Sequence, residues 1–184
     1  MATDAPYPVN ATGNPSRPGY NPRMPDDFQR LMAQLDYSLF IVTVACADER
    51  AGCLVGFASQ VSIHPPRFLV GLSVKNRTFR VASNGADVLL VHFVPEHAED
   101  LAELFGGETG DEVDKFERCE WSPGPAGAPV LSDLKDWFAG RVLDRIPFGD
   151  HCGFLLEPID GETHQSGSPL TFRRAKRIEP GHEP

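Results

Sequence analysis

The sequence predicts a mainly β chain, a closed or split barrel with a few short helices on its flanks. Three observations carry that expectation. Apolar runs of about four to eight residues, rich in β-branched and aromatic side chains, recur between Ser38 and Ile159 with turn residues between them. Helical spacing of three and four appears only in short segments. Strands and helices do not alternate in the βαβ manner that a parallel sheet requires.

The elements follow in order. Residues 1–25 carry Pro6, Pro8, Pro15, Pro18, Pro22 and Pro25 with almost no apolar periodicity. Such a segment buries too little surface to offset the entropy of ordering it, so a disordered or loosely draped arm is expected. Asp26 and Asp27 then open a helix whose Phe28, Leu31, Met32 and Leu35 form one apolar stripe, expected to be buried. Leu39–Ala45 reads as a strand, and the polar Asp48-Glu49-Arg50 turn leads into a hairpin partner. Ala58–Ser62 and Phe68–Ser73 are strands joined by a His64-Pro65-Pro66 corner, where a residue without an N–H does no harm to a ladder. A short helix at Thr78–Ala82, a strand at Val88–Val94 and a helix at His97–Leu104 follow, the last stopped by Phe105-Gly106-Gly107. Glu108–Glu117 reads as a solvated acidic loop, and Trp137–Ile146 and Cys152–Ile159 as late strands. His92 falls in an apolar run at the edge of the core, and His64 is read as structural or exposed.

At 184 residues the chain is long enough for one domain with a full core and no disulfide staples. A net charge of -9 disfavours a general nucleic-acid binder or a binder of anionic membranes. No apolar run approaches the roughly 18 residues of a membrane span, and no signal peptide is legible, so the expectation is a cytoplasmic protein with reduced thiols. Cys46, Cys53, Cys119 and Cys152 show no metal-ligand spacing, and no metal site is expected; Cys46 and Cys53 read as small core residues. There is no G-x-S-x-G elbow around Ser59 and no G-x-G-x-x-G fingerprint, so neither an acyl-transfer nucleophile nor a fixed dinucleotide site is expected.

Against that acidic background, Lys75-Asn76-Arg77-Thr78 places two cations, an amide and a hydroxyl at the end of a strand-corner-strand unit. Thr78 is expected to cap the following helix while Lys75 and Arg77 pair with an anion such as a phosphate. A second basic group, Arg173, Arg174, Lys176 and Arg177, reads equally as a solvated tail.

From Asp26 to Lys176 the order of motifs resembles the flavin reductase-like family, the FMN-binding split barrel of Greek-key type. The resemblance lies in V-S-I-H-P-P-R-F-L-V-G-L-S over Val61–Ser73, Asn76-Arg77-Thr78 beyond it, and the Phe105-Gly106 helix stop before Asp114-x-Phe116. It continues in Gly127-x-Pro129-Val130-Leu131, Gly149-Asp150-His151 and a terminal strand at Pro169-Leu170-x-Phe172-Arg173. The resemblance implies a domain over 26–177 with a tail over 178–184. It also implies a homodimer with flavin sites at the interface and hydride transfer from NADH or NADPH to FMN, with FAD as the alternative flavin. The implied activity is an NAD(P)H-dependent flavin reductase, including the reductase half of a two-component monooxygenase that receives the reduced flavin.

On this sequence the implied ring-lining run is Val55, Gly56, Phe57, Ala58, Ser59 and Gln60. The phosphate would meet Ser73, Lys75, Asn76, Arg77 and Thr78. Phe105 and Gly106 would border the site, Phe172 and Arg173 would close one side, and His151 would stand by the nicotinamide as the catalytic residue. The family's hydroxyl-rich loop is here Cys53-Leu54-Val55-Gly56-Phe57, so backbone groups, Ser59 or Gln60 must replace its side-chain contacts. That departure motivates two alternatives: a non-catalytic flavin- or haem-binding barrel, and a flavin- or deazaflavin-dependent oxidoreductase on another small substrate.

Overall fold

The computed structural model describes residues 24–165, 167–178 and 181; the expected N-terminal arm lies outside them, apart from its last two residues. The chain divides into two units, residues 1–36 and 37–184. The first contains one described helix, α1 (Met24–Met32), with both aspartates in its opening turn. Its stripe is not buried: Phe28, Leu31, Met32 and Leu35 are all exposed. An amphipathic helix needs a second layer to cover it, and the described residues of this unit supply none.

The second unit is built on nine strands: β1 (Phe40–Cys46), β2 (Glu49–Val55), β3 (Ala58–Ser62), β4 (Arg67–Ser73), β5 (Val88–Phe93), β6 (Trp121–Pro123), β7 (Pro129–Leu131), β8 (Trp137–Pro147) and β9 (His151–Glu162). Two helices, α2 (Arg77–Ser83) and α3 (Glu99–Gly107), flank them. Seven strands form one sheet in the order β2-β1-β5-β8-β9-β4-β3, with antiparallel pairings throughout. Its two ends, β2 and β3, do not pair with each other, and the barrel is split there. The β6–β7 hairpin forms a separate ribbon.

Strand periodicity explains the layering. On β1, Phe40, Val42 and Val44 enter one core with Leu89 and Val91 of β5, Phe154 and Leu156 of β9, and Val81 and Ala82 of α2. The alternate residues Leu39 and Ile41 enter a second core with Ala102 and Phe105 of α3, Phe116, Leu131 and Leu170. Both faces of β1 and β5 are therefore covered, which is why they read as continuous apolar runs.

Several expectations change here. His92 is not at a core edge but fully buried, opposite Ile41 in the β1–β5 register. Its Nδ1–H donates to the Ile41 carbonyl at 3.1 Å and its Nε2 accepts from the Leu131 N–H at 3.2 Å. The backbone N–H donates, so Nε2 carries no proton and the ring is neutral. With Thr43, whose hydroxyl donates to the Pro129 carbonyl at 2.6 Å, it ties the β6–β7 ribbon to the sheet. Cys53 and Cys152 are buried, while Cys46 is half-buried. The helix at α3 runs through Phe105-Gly106-Gly107 rather than stopping before it. Gly106 is needed there, since a Cβ would lie 2.9 Å from the Leu54 side chain. The expected terminal strand at Pro169–Arg173 is reduced to isolated bridges, Pro169 with Pro95 and Thr171 with Ser38. The Glu108–Glu117 segment is not freely solvated: Asp111 pairs with Arg80, and Asp114 with Arg50 at 2.8 Å.

Burial holds the His92 pKa down at about 4, against 6.5 for the free side chain. The unfolded chain thus takes up a proton first as pH falls, and the stability present above pH 6.5 is lost on the way to pH 4. Urea denaturation should show a loss of up to about 1.4 kcal/mol per pH unit over that window, about 3 kcal/mol in all. A His92→Gln variant should lose most of this slope; an unaltered slope would refute the assignment.

Candidate functional site

The ends of β2 and β4, the start of α2, the end of α3 and the start of β9 converge on an open cleft of about 280 Å³. One wall is apolar and aromatic, from Tyr37, Leu39, Leu54, Val55, Phe57 and Phe172. The Tyr37 and Phe172 rings stack with centroids 4.9 Å apart. The other end is polar, from Ser73, Asn76, Arg77, Thr109 and the backbone at Gly110.

Local sequence sets each group in place. Phe57 leaves β2 and its carbonyl accepts from the Gly71 N–H at 2.6 Å, so the strand-to-strand link is pinned across β4. Ser73 pairs with His151 in the β4–β9 register, which sets the serine and the histidine side by side. The His151 ring meets the edge of Phe57 at 4.9 Å and its Nδ1 lies 2.9 Å from the Asp150 carboxylate. That hydrogen bond holds the Asp150 carboxyl below its usual pKa.

Asn76 caps α2, its side-chain oxygen accepting from the Thr78 N–H at 2.9 Å. The cap is therefore Asn76 and not Thr78. Arg77 reaches across to the Gly110 carbonyl at 3.1 Å and to the Glu49 carboxylate at 3.2 Å. It was expected to pair with an anion, and here its partners are a backbone carbonyl and a carboxylate of the protein itself. A neighbouring depression of about 260 Å³ shares Arg77, Gly110 and Lys115 with the cleft and carries Asp48, Glu49, Asp111, Glu112 and Asp114.

Among the residues that sequence reasoning missed, which include Tyr37, Leu39, Thr109 and Gly110, Lys115 is the buried cation. It is 5% exposed, and its Nζ donates to the Phe105 carbonyl at 2.9 Å and the Gly52 carbonyl at 3.4 Å. Burial pushes the ammonium pKa down, while Cys53 and Glu108 act in the opposite direction. Lys115 thereby satisfies a last-turn carbonyl of α3 and fastens that helix to β2. Gly52 makes the close approach possible, since a Cβ there would sit 2.7 Å from the Phe105 ring. The one signal in the sequence was a lone cation among Asp111, Glu112, Asp114 and Glu117. Burial raises the pKa of the adjacent Cys53 thiol, against weaker pulls from Thr78 and Lys115, so it stays protonated.

Of the residues expected around a flavin, Val55, Gly56, Phe57, Ser73, Asn76, Arg77, Phe105, Gly106, His151 and Phe172 line this cleft. Ala58, Ser59 and Gln60 do not, because β3 turns away after Phe57 to become the outer strand beside β4. There the Ser59 hydroxyl donates to the Gln60 carbonyl and the Gln60 amide to the Ser62 carbonyl. Lys75 is exposed on the turn before α2 and Arg173 is exposed beyond Phe172, both outside the cleft. Thr78 is 1% exposed beneath α2. Its hydroxyl lies near the Cys53 thiol but meets no partner at hydrogen-bond geometry among the described residues.

Residues 32–179 match the family described as the flavin reductase like domain. The chain belongs to that family. The FMN reductase (NADH) RutF of Agrobacterium fabrum (strain C58) is 31% identical over 154 residues, covering 83% of this chain and 87% of that protein. Among solved structures, a flavin reductase domain protein from Arthrobacter sp. FB24 superposes with a TM-score of 0.73 at 22% identity, over 82% of this chain and 91% of that one. Nitrilotriacetate monooxygenase component B from Mycobacterium thermoresistibile superposes with a TM-score of 0.71 at 20% identity, over 82% and 83%. These two likenesses establish the split-barrel fold.

Replacing Lys115 by Met should remove the side-chain partner of the Phe105 carbonyl and the weaker contact to the Gly52 carbonyl. The expected loss of stability is about 1–3 kcal/mol, read as a lower urea midpoint. An unchanged midpoint would mean that the ammonium does not join α3 to β2.

Proposed function

We propose that the chain is an NAD(P)H-dependent flavin reductase that binds FMN in the cleft between β2, β4, α2 and α3. The observation that carries this reading is the division of that cleft. Its wall of Tyr37, Leu54, Val55 and Phe57 suits a flat, largely apolar ring system, and its Ser73, Asn76 and Arg77 end suits a phosphate. The relative from Agrobacterium fabrum, an FMN reductase using NADH, supports the same pairing of flavin and nicotinamide. FAD and NADPH are the alternative flavin and donor. The chemistry a bound flavin supplies is acceptance of a hydride from the nicotinamide.

The protein's part is position and charge. Arg77, fixed by the Gly110 carbonyl, presents a planar guanidinium to the phosphate; Asn76 and Ser73 lie beside it. Phe105 and Gly106, fastened by Lys115, form the side of the slot. His151, oriented by Asp150 and the Phe57 edge, stands where the nicotinamide would enter, with its Nε2 turned away from the carboxylate.

A second copy of this chain covers the face around the cleft. Phe57, Val61, Ile63 and Phe148 are between 51% and 70% exposed, on and beside the end strand β3. An exposed apolar strand at a sheet end is a surface that proteins normally cover. The likeness to a monooxygenase component B supports delivery of reduced flavin to a separate oxygenase. Among the described residues no helix is long and apolar enough to cross a membrane, and the proposed location is the cytoplasm.

Purified protein should oxidise NADH or NADPH only when flavin is added. Arg77→Ala should weaken FMN by about 1–3 kcal/mol, roughly five- to 150-fold, while riboflavin binds as before. Flavin that binds without oxidation of either nicotinamide would sink the enzymatic reading. In sedimentation the protein should run as a dimer, and Val61→Glu with Ile63→Glu should yield monomers; a monomeric native protein would refute the covered face.

A further inference from the structure

Arg77 is both the guanidinium of the proposed phosphate end and the partner of a carboxylate, and the two roles conflict. Its Nη2 lies 3.2 Å from Glu49 Oε1 while its Nη1 donates to the Gly110 carbonyl at 3.1 Å. Glu49 opens β2 immediately after the Ala47-Asp48 turn, and Arg77 opens α2, so two rigid elements bring the pair together. Glu49 lines the neighbouring depression with Asp48, Asp111, Glu112 and Asp114, of which Asp111 is paired with Arg80 and Asp114 with Arg50.

We infer that Glu49 is an internal counter-ion that competes with the flavin phosphate for Arg77 and so keeps bound FMN releasable. This rests on the flavin reading of the cleft. A phosphate that engages the guanidinium through Nη2 and Nε must displace Glu49 from Nη2 while Nη1 stays on the Gly110 carbonyl, and when the phosphate leaves, Glu49 returns. The magnitudes favour exchange over blockade. The Arg77 and Glu49 side chains are 35% and 53% exposed, and a pair this wet is weak. A phosphate held by a charge-assisted, two-point contact outcompetes it, but at an affinity lowered by the fraction of Arg77 already occupied. The Gly110 carbonyl keeps the guanidinium in position in either state, so Glu49 is a specificity-determining neighbour and not the support of the arginine.

Glu49→Gln tests this because it preserves shape and removes the charge. FMN and riboflavin are titrated onto the full-length wild type and variant, following flavin fluorescence, and FMN release is followed in stopped flow. The expected result is FMN binding tightened by about three- to tenfold with slower release, and riboflavin unchanged, since riboflavin has no phosphate to contest Arg77. Glu49→Ala, which also removes the side-chain bulk, should shift FMN in the same direction. Unchanged FMN affinity in both variants would overturn the inference, as would equal shifts for FMN and riboflavin, which would report a change in the slot itself. If neither flavin binds the wild type, the flavin reading fails, and this inference falls with it.

Discussion

Covering β1 and β5 on both faces is the constraint from which the rest of the second unit follows. One face meets α2 and the far strands; the other must be closed by α3, Phe116 and the segment around Leu170. Once α3 lies on that face, its carbonyl end points at β2, and something has to satisfy it. Lys115 does so, and in doing so it brings Phe105 and Gly106 to the side of the cleft. The slot is thus a by-product of how the outer core is closed. The same closure buries His92, which is tolerated because both ring nitrogens find backbone partners.

Charge is arranged with similar economy. In a chain of net charge -9, the arginines around the cleft are drawn to carboxylates: Arg50 to Asp114, Arg80 to Asp111, Arg77 to Glu49. These pairs are exposed and individually weak, so they restrain the 108–114 segment without locking it. On the flavin reading proposed above, an anion entering the cleft would meet a cation already positioned and exchange with its carboxylate partner.

Much of this was legible in the residues. The seven strands of the main sheet were, because antiparallel strands bounded by Gly, Pro and Asp announce themselves through period and punctuation, whereas the short β6–β7 ribbon was not. The strand-corner-strand unit ending at Arg77 was legible too. The errors share a cause. The α1 stripe was expected to be buried because periodicity shows which face is apolar but not whether a partner exists. Ala58 to Gln60 were assigned to the cleft as a continuation of Val55–Phe57, yet the chain turns away at Phe57 because its carbonyl is taken by Gly71. Thr78 looked like a cap, and Asn76 took that place two residues earlier.

By itself, then, the sequence determined that this is a β barrel of the flavin reductase-like kind and pointed to Arg77 as a candidate anion contact, since strand period, turn residues and motif order are local properties. Tertiary structure alone decided which cations serve the cleft. Lys75 lies exposed outside the cleft, Arg77 was tied to Glu49 and Gly110, and Lys115 went inward. The carbonyls that hold Lys115 lie 10 and 63 residues away along the chain, and no local pattern records a partnership that exists only once the sheet has been covered.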